Sequence, residues 1–252
     1  MSVLAAGRTA EVSIYRAREP RVATLVFVHG AGCDHHVAEP LAAALPEVDV
    51  IAPNLPGRAG TPGAPCSTAA EAATFIGAVI DALGLSRVFV LGHSYGGGIA
   101  LELALTRPLA GLVLASTGAR LRVHPGVLEA MRVQAETSTE SGSLFGWSKD
   151  VDSLLVARLD AFAHAVPAAT TLADWRAVDA FDRLHALGAL RVPALLLFGV
   201  DDALTPPKYG HYLAAQLPGA RLELLPDAGH MLPIDRAALV APLVRSFLGD
   251  AG

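Results

Sequence analysis

The segment VLGHSYGGGIALELAL, from Val90 to Leu105, places a serine in an unusually glycine-rich setting. Ser94 has Gly92 two residues before it and Gly96 two residues after it, which gives the spacing G-x-S-x-G. An apolar run precedes the motif and a helix-like run follows it, so a strand is expected to pass into a helix here. Small residues let the two backbones approach while the serine adopts an unfavourable conformation. The stretch is therefore either a glycine turn with an incidental serine or a turn that exposes Ser94 as a nucleophile.

Apolar runs of strand length recur along the chain and alternate with helix-like segments. The runs are continuous, which is typical of strands that helices cover on both faces. This alternation predicts an α/β fold with a mostly parallel, doubly wound sheet and right-handed crossovers. The predicted strands are Val22–Val28, Val48–Ala52, Arg87–Leu91, Gly111–Ser116, Ala194–Gly199 and Arg221–Leu225, with an antiparallel edge strand at Glu11–Ala17. The predicted helices are Val37–Leu45, Thr68–Gly84 and Gly96–Pro108.

One interval, from Gly118 to Leu190, breaks this alternation. It contains no convincing buried strand, but DSLLVARLDAFAHA and LADWRAVDAFDRLHALG have helical periodicity. The interval is too long for an ordinary connection and too periodic for disorder. We therefore predict a core of residues 1–117 and 191–252, with residues 118–190 forming a helical cap over the carboxyl edge of the sheet.

The composition suits a single globular domain and argues against several classes of partner. Of the 252 residues, 52% are hydrophobic and 17% are charged, so the chain can bury a large core. A net charge of −5 gives no electrostatic case for binding nucleic acid or an anionic membrane. Cys33 and Cys66 make neither a disulfide framework nor a paired metal motif. Charges interrupt any amino-terminal signal segment, and no run has the roughly 18 apolar residues of a membrane span, so we expect a cytoplasmic protein.

Two segments near the carboxyl end supply the groups that would activate Ser94. A serine alone is a poor nucleophile and needs a base and an acid that orients the base. PDAGHMLPID places His230 in a loop after the last predicted strand, and FGVDDALTPP places Asp201 and Asp202 directly after the strand before it. From such loops, an imidazole and a carboxylate can reach the carboxyl edge of the sheet. The chain order is serine, aspartate, histidine.

The segments VFVHGAG, LGHSYGGG, LLLFGVDDALTPP and DAGHMLP occur in this order and spread over most of the chain. Together they make the chain resemble an α/β-hydrolase fold serine hydrolase of the small, cap-bearing bacterial esterase type. The resemblance implies a catalytic triad of Ser94, His230 and an aspartate. The family's G-x-x-D pattern places that acid at Asp202, with Asp201 as the fallback.

The same resemblance implies an oxyanion hole built from main-chain groups. In HGAGCDHH, which follows the first parallel strand, the backbone N–H of Ala31 would face the site together with the N–H of Tyr95. Because main-chain donors constrain side chains only loosely, Gly32 stays open as a substitute for Ala31. We expect His29 to support this loop through hydrogen bonds.

Five residues are candidates for the wall of a substrate pocket: Cys33, His35, Trp147, Phe162 and Trp175. The aromatic residues of the cap are core residues by default, and only some of them need line the pocket. The segment CDHH also suggests a metal site. However, four adjacent residues rarely converge on one ion, and no H-E-x-x-H or C-x-x-C motif accompanies them. We therefore predict neither a metal nor a cofactor.

The resemblance implies hydrolysis of a small, largely apolar carboxylic ester or lactone through an acyl-enzyme on Ser94. Three other reactions of the family use the same triad and stay open: C–C bond hydrolysis, hydroxynitrile lysis and cofactor-free perhydrolysis. A non-catalytic, ligand-binding protein also stays open. Dehalogenases and epoxide hydrolases do not fit, because they need aspartate where this chain has Ser94. The expected partner is a small-molecule ester, and the sequence leaves the oligomeric state open.

Overall fold

The computed structural model describes residues 1–18, 21–138 and 140–250. Its strands are β1 (Ser2–Ala5), β2 (Arg8–Tyr15), β3 (Ala23–Val28), β4 (Val48–Pro53), β5 (Phe89–His93), β6 (Gly111–Ala115), β7 (Ala194–Gly199) and β8 (Arg221–Leu225). They form one eight-stranded sheet in the order β1-β2-β4-β3-β5-β6-β7-β8. The β1–β2 and β2–β4 pairs are antiparallel and the other neighbours are parallel. The predicted α/β fold with a mostly parallel sheet is confirmed.

Helices cover both faces of the sheet. In β3, Val26 and Val28 join the apolar cluster on one face, whereas Leu25 and Phe27 join the cluster on the other. Since successive side chains point to opposite faces, burial on both sides explains why the strands read as continuous apolar runs. The first face is covered by α2 (Ala69–Ala82), α3 (Tyr95–Thr106) and α7 (Pro207–Gln216). The second is covered by α1 (Glu39–Ala44), α8 (Leu232–Asp235) and α9 (Ala237–Asp250).

Two predicted strands differ from the observed ones. The predicted edge strand at Glu11–Ala17 is the second strand, because β2 begins at Arg8 and β1 pairs along its outer side. β5 lies two residues further along the chain than predicted. Arg87 adopts a positive φ of 51°, which a strand does not allow, so the strand begins after it. β5 ends at His93, directly before Ser94.

Between β6 and β7 the described residues form three α-helices: α4 (Pro125–Thr137), α5 (Ser153–His164) and α6 (Ala168–Ala180). This arrangement is consistent with a helical cap. α6 contacts both α4 and α3, and its residue Val178 belongs to the apolar cluster on the first face of the sheet. α6 therefore joins the cap to the core. Among the described residues, no helix has the length and apolar character needed to cross a membrane.

Candidate active site

Ser94 occupies a strained turn between β5 and α3. Its backbone has φ 55° and ψ −118°, a conformation that residues with side chains rarely adopt. A Cβ at Gly92 would overlap the backbone of Gly96, and a Cβ at Gly96 would overlap the carbonyl of Val28, so the turn requires both glycines. Ser94 is half-buried, and its hydroxyl has no hydrogen-bond partner in the described part of the chain. This geometry matches a nucleophile elbow.

Asp202 and His230, which follow β7 and β8, form a buried hydrogen-bonded pair. Nδ1 of His230 lies 2.9 Å from Oδ2 of Asp202. The carboxylate of Asp202 also accepts from the Leu204 and Thr205 N–H groups at 2.8 and 2.9 Å and from the Thr205 hydroxyl at 2.7 Å. With Nδ1 held by the carboxylate, Nε2 of the imidazole is the nitrogen left for a reacting group.

The fallback acid, Asp201, lies outside this pair. Its side chain is exposed, and its N–H donates to the carbonyl of Ala228. Burial opposes ionisation of Asp202, yet His230 and Thr205 together hold the pKa of the Asp202 carboxyl well below its usual range. Asp202 is therefore the ionised carboxylate that faces the histidine.

His93 and His29 are buried histidines that contact the loops around Ser94. Nε2 of His93 lies 3.0 Å from the backbone oxygen of His230. Because a carbonyl oxygen only accepts, this nitrogen carries the proton, and Nδ1 has no partner among the described residues. Burial, aided by the nearby His230 ring, lowers the pKa of His93 to about 3. Nε2 of His29 accepts from the Leu55 N–H at 3.3 Å, so His29 contacts the loop after β4.

The two predicted oxyanion-hole donors lie at a loop and at a helix start. Ala31 lines the cavity that contains Ser94, and no group in the described ranges accepts its N–H. Tyr95 is the first residue of α3, where N–H groups have no acceptor within the helix. Gly32, the alternative donor, gives its N–H to the Asp174 carboxylate at 3.0 Å. In this loop, Ala31 rather than Gly32 has an uncommitted N–H.

Two adjoining cavities lie over the turn. One of about 50 Å³ and one of about 200 Å³ share five wall residues: Ser94, Phe145, Trp175, Leu204 and His230. The loop that carries Ala31 lines the smaller cavity alone. The wall of the larger cavity combines aliphatic and aromatic side chains with polar ones, among them Arg122 and His124. The two cavities therefore meet at the serine and the histidine.

Cys33 and Trp175 are the predicted pocket residues that line these cavities. Cys33 lines the smaller one, and burial raises the pKa of its thiol to about 12, which keeps it protonated. Trp175 lines both and stacks on Phe145, with ring centroids 5.7 Å apart. Because both rings line both cavities, we call Phe145 and Trp175 the partition.

The other three predicted pocket residues line neither cavity in the described structure. His35 is buried, and its Nδ1 lies 2.8 Å from the hydroxyl of Ser13 on β2. Phe162 stacks on His36, with ring centroids 3.7 Å apart. Trp147 packs against the apolar cluster on the second face of the sheet. Among the described residues, these three rings pack or hydrogen-bond within the protein instead of lining either cavity. Aromatic character alone does not distinguish a packing residue from a pocket residue.

Asp34, His35 and His36 converge more closely than their adjacency suggested. One potential ligand atom of each lies within 4.8 Å of the others. Asp34 begins a 3₁₀ turn, and this turn brings the next two side chains close to it. That no metal binds here stays a prediction. Nδ1 of His36 is bonded to Asp34 at 2.8 Å, and Nδ1 of His35 is bonded to Ser13. With these two hydrogen bonds, each of the three side chains has a partner within the protein.

Sequence reasoning missed four residues that hold this site. Thr205 bonds to the acid, Arg58 and Asp174 hold the loop after β3, and Ser148 accepts from the Gly229 N–H at 2.8 Å. A local signal existed for Thr205, since a threonine three positions after an aspartate can bond back to it. The partners of Arg58, Asp174 and Ser148 are distant in sequence and give no local pattern.

A strained serine turn follows β5, and an aspartate–histidine pair follows β7 and β8 on a doubly wound sheet. These features define a protein of the α/β-hydrolase class. The chain belongs to the α/β hydrolase family, whose model matches residues 25–243. The family predicted from the sequence is confirmed, and with it the general character of the protein as a hydrolase.

The relatives of the chain include enzymes that cleave esters. It is 32% identical over 244 residues to a pimeloyl-acyl-carrier-protein methyl ester esterase of Neisseria meningitidis serogroup B, covering 90% of this chain and 93% of the relative. Among solved structures, the enol-lactonase of Burkholderia xenovorans LB400 has a TM-score of 0.88 at 24% identity, with 98% and 99% of the two chains covered. A thermophilic esterase from Thermogutta terrifontis has a TM-score of 0.85 at 23% identity, with 100% and 98% covered. The two structures support the fold.

Proposed function

We propose that the protein is a serine hydrolase that cleaves a small, largely apolar carboxylic ester or lactone, with Ser94, His230 and Asp202 as its triad. The observation that carries the proposal is the strained turn of Ser94 in the wall of a cavity that His230 also lines. Asp202 is bonded to the far nitrogen of that imidazole. A hydroxyl, a base and an orienting acid are the parts that acyl transfer needs.

The proposed reaction proceeds through an acyl-enzyme. Nε2 of His230 takes the proton of the Ser94 hydroxyl as Oγ attacks the ester carbonyl. The tetrahedral intermediate collapses when His230 gives this proton to the leaving alcohol, and the acyl group stays on Ser94. Water then attacks the acyl carbonyl with His230 as base, and the acid leaves as Ser94 regains its proton. The ionised Asp202 stabilises the imidazolium in both halves.

The N–H groups of Ala31 and Tyr95 are proposed as the donors that stabilise the oxyanion. Negative charge develops on the carbonyl oxygen during each attack, and two fixed donors lower the barrier most when they need no reorganisation. The uncommitted N–H of Ala31 and the helix-start position of Tyr95 support this assignment. The positive end of α3 adds a favourable field at the same place.

The two cavities suit the two halves of an ester. We assign the acyl group and the alcohol group to separate cavities, because both cavities reach Ser94 and His230. Apolar side chains in both walls, among them Leu144 and Met131 in one cavity and Val127 in the other, favour uncharged groups. A lactone would span both cavities as a single ring. The names of two similar proteins, a methyl ester esterase and an enol-lactonase, support cleavage of an ester or lactone bond.

A panel of chromogenic esters and lactones of graded chain length tests the proposal. Wild type should turn over short to medium esters, and Ser94→Ala should lose at least about a thousandfold in kcat while staying folded. Ser86→Ala, an exposed serine outside both cavities, is the control and should match wild type. No turnover of any ester or lactone by wild type would contradict the proposal, as would a Ser94→Ala variant with near-normal activity.

A further inference from the structure

Asp174 is a buried acid of the cap whose contacts lie on the core. It belongs to α6 and is 2% exposed. Its Oδ2 accepts from the Gly32 N–H at 3.0 Å and from the guanidinium of Arg58, which is 3% exposed. Gly32 is adjacent to the proposed oxyanion donor Ala31. A buried carboxylate of the cap thus accepts a hydrogen bond from the loop that carries the proposed oxyanion donor.

Arg58 extends this contact to a second loop of the core. Its Nε donates to the Cys33 carbonyl at 2.7 Å, and another guanidinium nitrogen donates to the Pro56 carbonyl at 3.3 Å. Arg58 lies in the loop after β4, whereas Cys33 lies in the loop after β3. The ion pair with Asp174 therefore joins three segments that are distant in sequence: both loops and α6.

Two further residues of α6, one turn before Asp174, make parallel contacts. The hydroxyl of Thr170 donates to the Gly57 carbonyl at 2.9 Å. Gly32 has a φ of +69°, and a Cβ there would lie 3.2 Å from the Cγ2 of Thr171. One face of α6 is thus fitted against the glycines of both loops. Burying an ion pair carries a desolvation penalty that its attraction repays only partly, so its presence calls for a reason besides stability.

We infer that Asp174 is a positioning residue. It holds the loop after β3, which carries Ala31, through the Gly32 N–H, and Arg58 fixes its carboxylate. This inference rests on the proposed function. The hydrogen bond from the Gly32 N–H to Asp174 fixes the peptide between Ala31 and Gly32. It therefore restricts the orientation of the Ala31 N–H. Oxyanion donors act through this preorganisation, and a loop free to rotate would lose part of it. The cap, on this account, contributes to the chemical step as well as to substrate selection.

A matched pair of double variants separates the acceptor from the ion pair. Arg58→Met/Asp174→Asn and Arg58→Met/Asp174→Leu both remove the two buried charges, but the asparagine variant keeps an oxygen for the Gly32 N–H. We expect kcat of the leucine variant to be at least about tenfold below that of the asparagine variant, with KM within about threefold. Its affinity for a boronic acid, which forms a tetrahedral adduct on Ser94, should fall by a similar factor. Equal kcat and equal boronate affinity in the two variants would overturn the inference.

Amide hydrogen exchange in the wild-type protein gives a second test that needs no substitution. The Gly32 N–H should be strongly protected, and the Ala31 N–H should exchange quickly because no group in the described part of the chain accepts it. A rapidly exchanging Gly32 amide would overturn the inference even if a double variant failed to fold. Absence of ester turnover in wild type would instead defeat the proposed function, and the exchange rates would still decide whether Asp174 holds the loop.

Discussion

Thr205 donates its hydroxyl to Oδ2 of Asp202 at 2.7 Å, and the same hydroxyl lies 3.2 Å from Nδ1 of His230. The hydroxyl thus helps to orient the carboxylate under the imidazole. Thr205→Val keeps the shape and removes this donor. Since a hydrogen bond to a charged group contributes about 1.5–3 kcal/mol, we expect kcat to fall by about tenfold or more.

Thr205→Ser is the control for this substitution, because it keeps the hydroxyl. Its kcat, measured on the same chromogenic ester, should stay closer to wild type than that of the valine variant. If serine and valine reduce kcat equally, the hydroxyl of Thr205 does not orient Asp202.

The buried His93 should make stability depend on pH. Burial lowers its pKa to about 3 in the folded protein, against an ordinary value near 6.5 in the unfolded chain. Between these values, unfolding takes up a proton, so the free energy of unfolding should fall as pH decreases from about 6.5 toward 3. The slope contributed by this one group is at most about 1.4 kcal/mol per pH unit.

His93→Gln isolates this contribution, because glutamine can still donate to the His230 carbonyl but does not titrate. Urea unfolding at a series of pH values should give a shallower decline below pH 6.5 for the variant than for wild type. Identical slopes in the two proteins would mean that His93 is not a neutral buried histidine.

In the cap, Gly146 lies next to His230, the proposed base. Gly146 has a φ of +83°, and a Cβ there would lie 2.7 Å from the Cβ of His230. Gly146→Ala should therefore displace the imidazole and lower kcat by about tenfold or more, because misplacing a reacting group by about 1 Å can have a hundredfold effect. Steady-state kinetics on a short ester measures the effect.

Gly63→Ala is the matched control for backbone strain. Gly63 also has a positive φ, +108°, but a Cβ there meets no atom within 4 Å. Both variants should lose about 1 kcal/mol of stability from the left-handed conformation, and only Gly146→Ala should lose activity. A similar loss of kcat in both would remove the contact with His230 as the cause.

Trp175 should set the chain length of the preferred substrate. It lines both cavities and forms the partition with Phe145, so Trp175→Ala should enlarge the space next to Ser94. The optimum of kcat/KM across an ester series should move to longer chains, with about a fourfold gain per added methylene while the new space fills. Acylation by a small phosphonate should stay fast.

Trp147→Ala makes the same chemical change in the cap at a residue that lines neither cavity in the described structure. It should leave the optimum where wild type has it. A shift in both variants, or in neither, would contradict the assignment of Trp175 to the partition.

The fold and the proposed triad were accessible from the sequence because each left a local pattern. Strands buried on both faces are continuous apolar runs, and Ser94 directly follows one of them, β5. Asp202 and His230 lie in the loops that follow β7 and β8. β1 escaped prediction because it is only four residues long and exposes Leu4, 71% of whose surface is accessible. A run of four residues is too short to be recognised as a strand from its apolar pattern alone.

Contacts between residues that are distant in sequence could not be predicted from local patterns. Arg58 and Asp174 are separated by 116 residues, and nothing next to either residue indicates its partner. The same holds for the rings of the cap: Trp147 and Trp175 look alike in sequence, and only the packing of α6 against the core separates a wall residue from a packing residue. Long-range packing, rather than local propensity, decides these roles.

The most direct test of the central claim, that Ser94 is the nucleophile of an acyl transfer, is intact-mass spectrometry after exposure to a fluorophosphonate. We predict one phosphonyl adduct on wild type, mapped to the peptide that contains Ser94, no adduct on Ser94→Ala, and strongly slowed labelling of His230→Ala. Unlabelled wild type, or equal labelling of Ser94→Ala, would contradict the account.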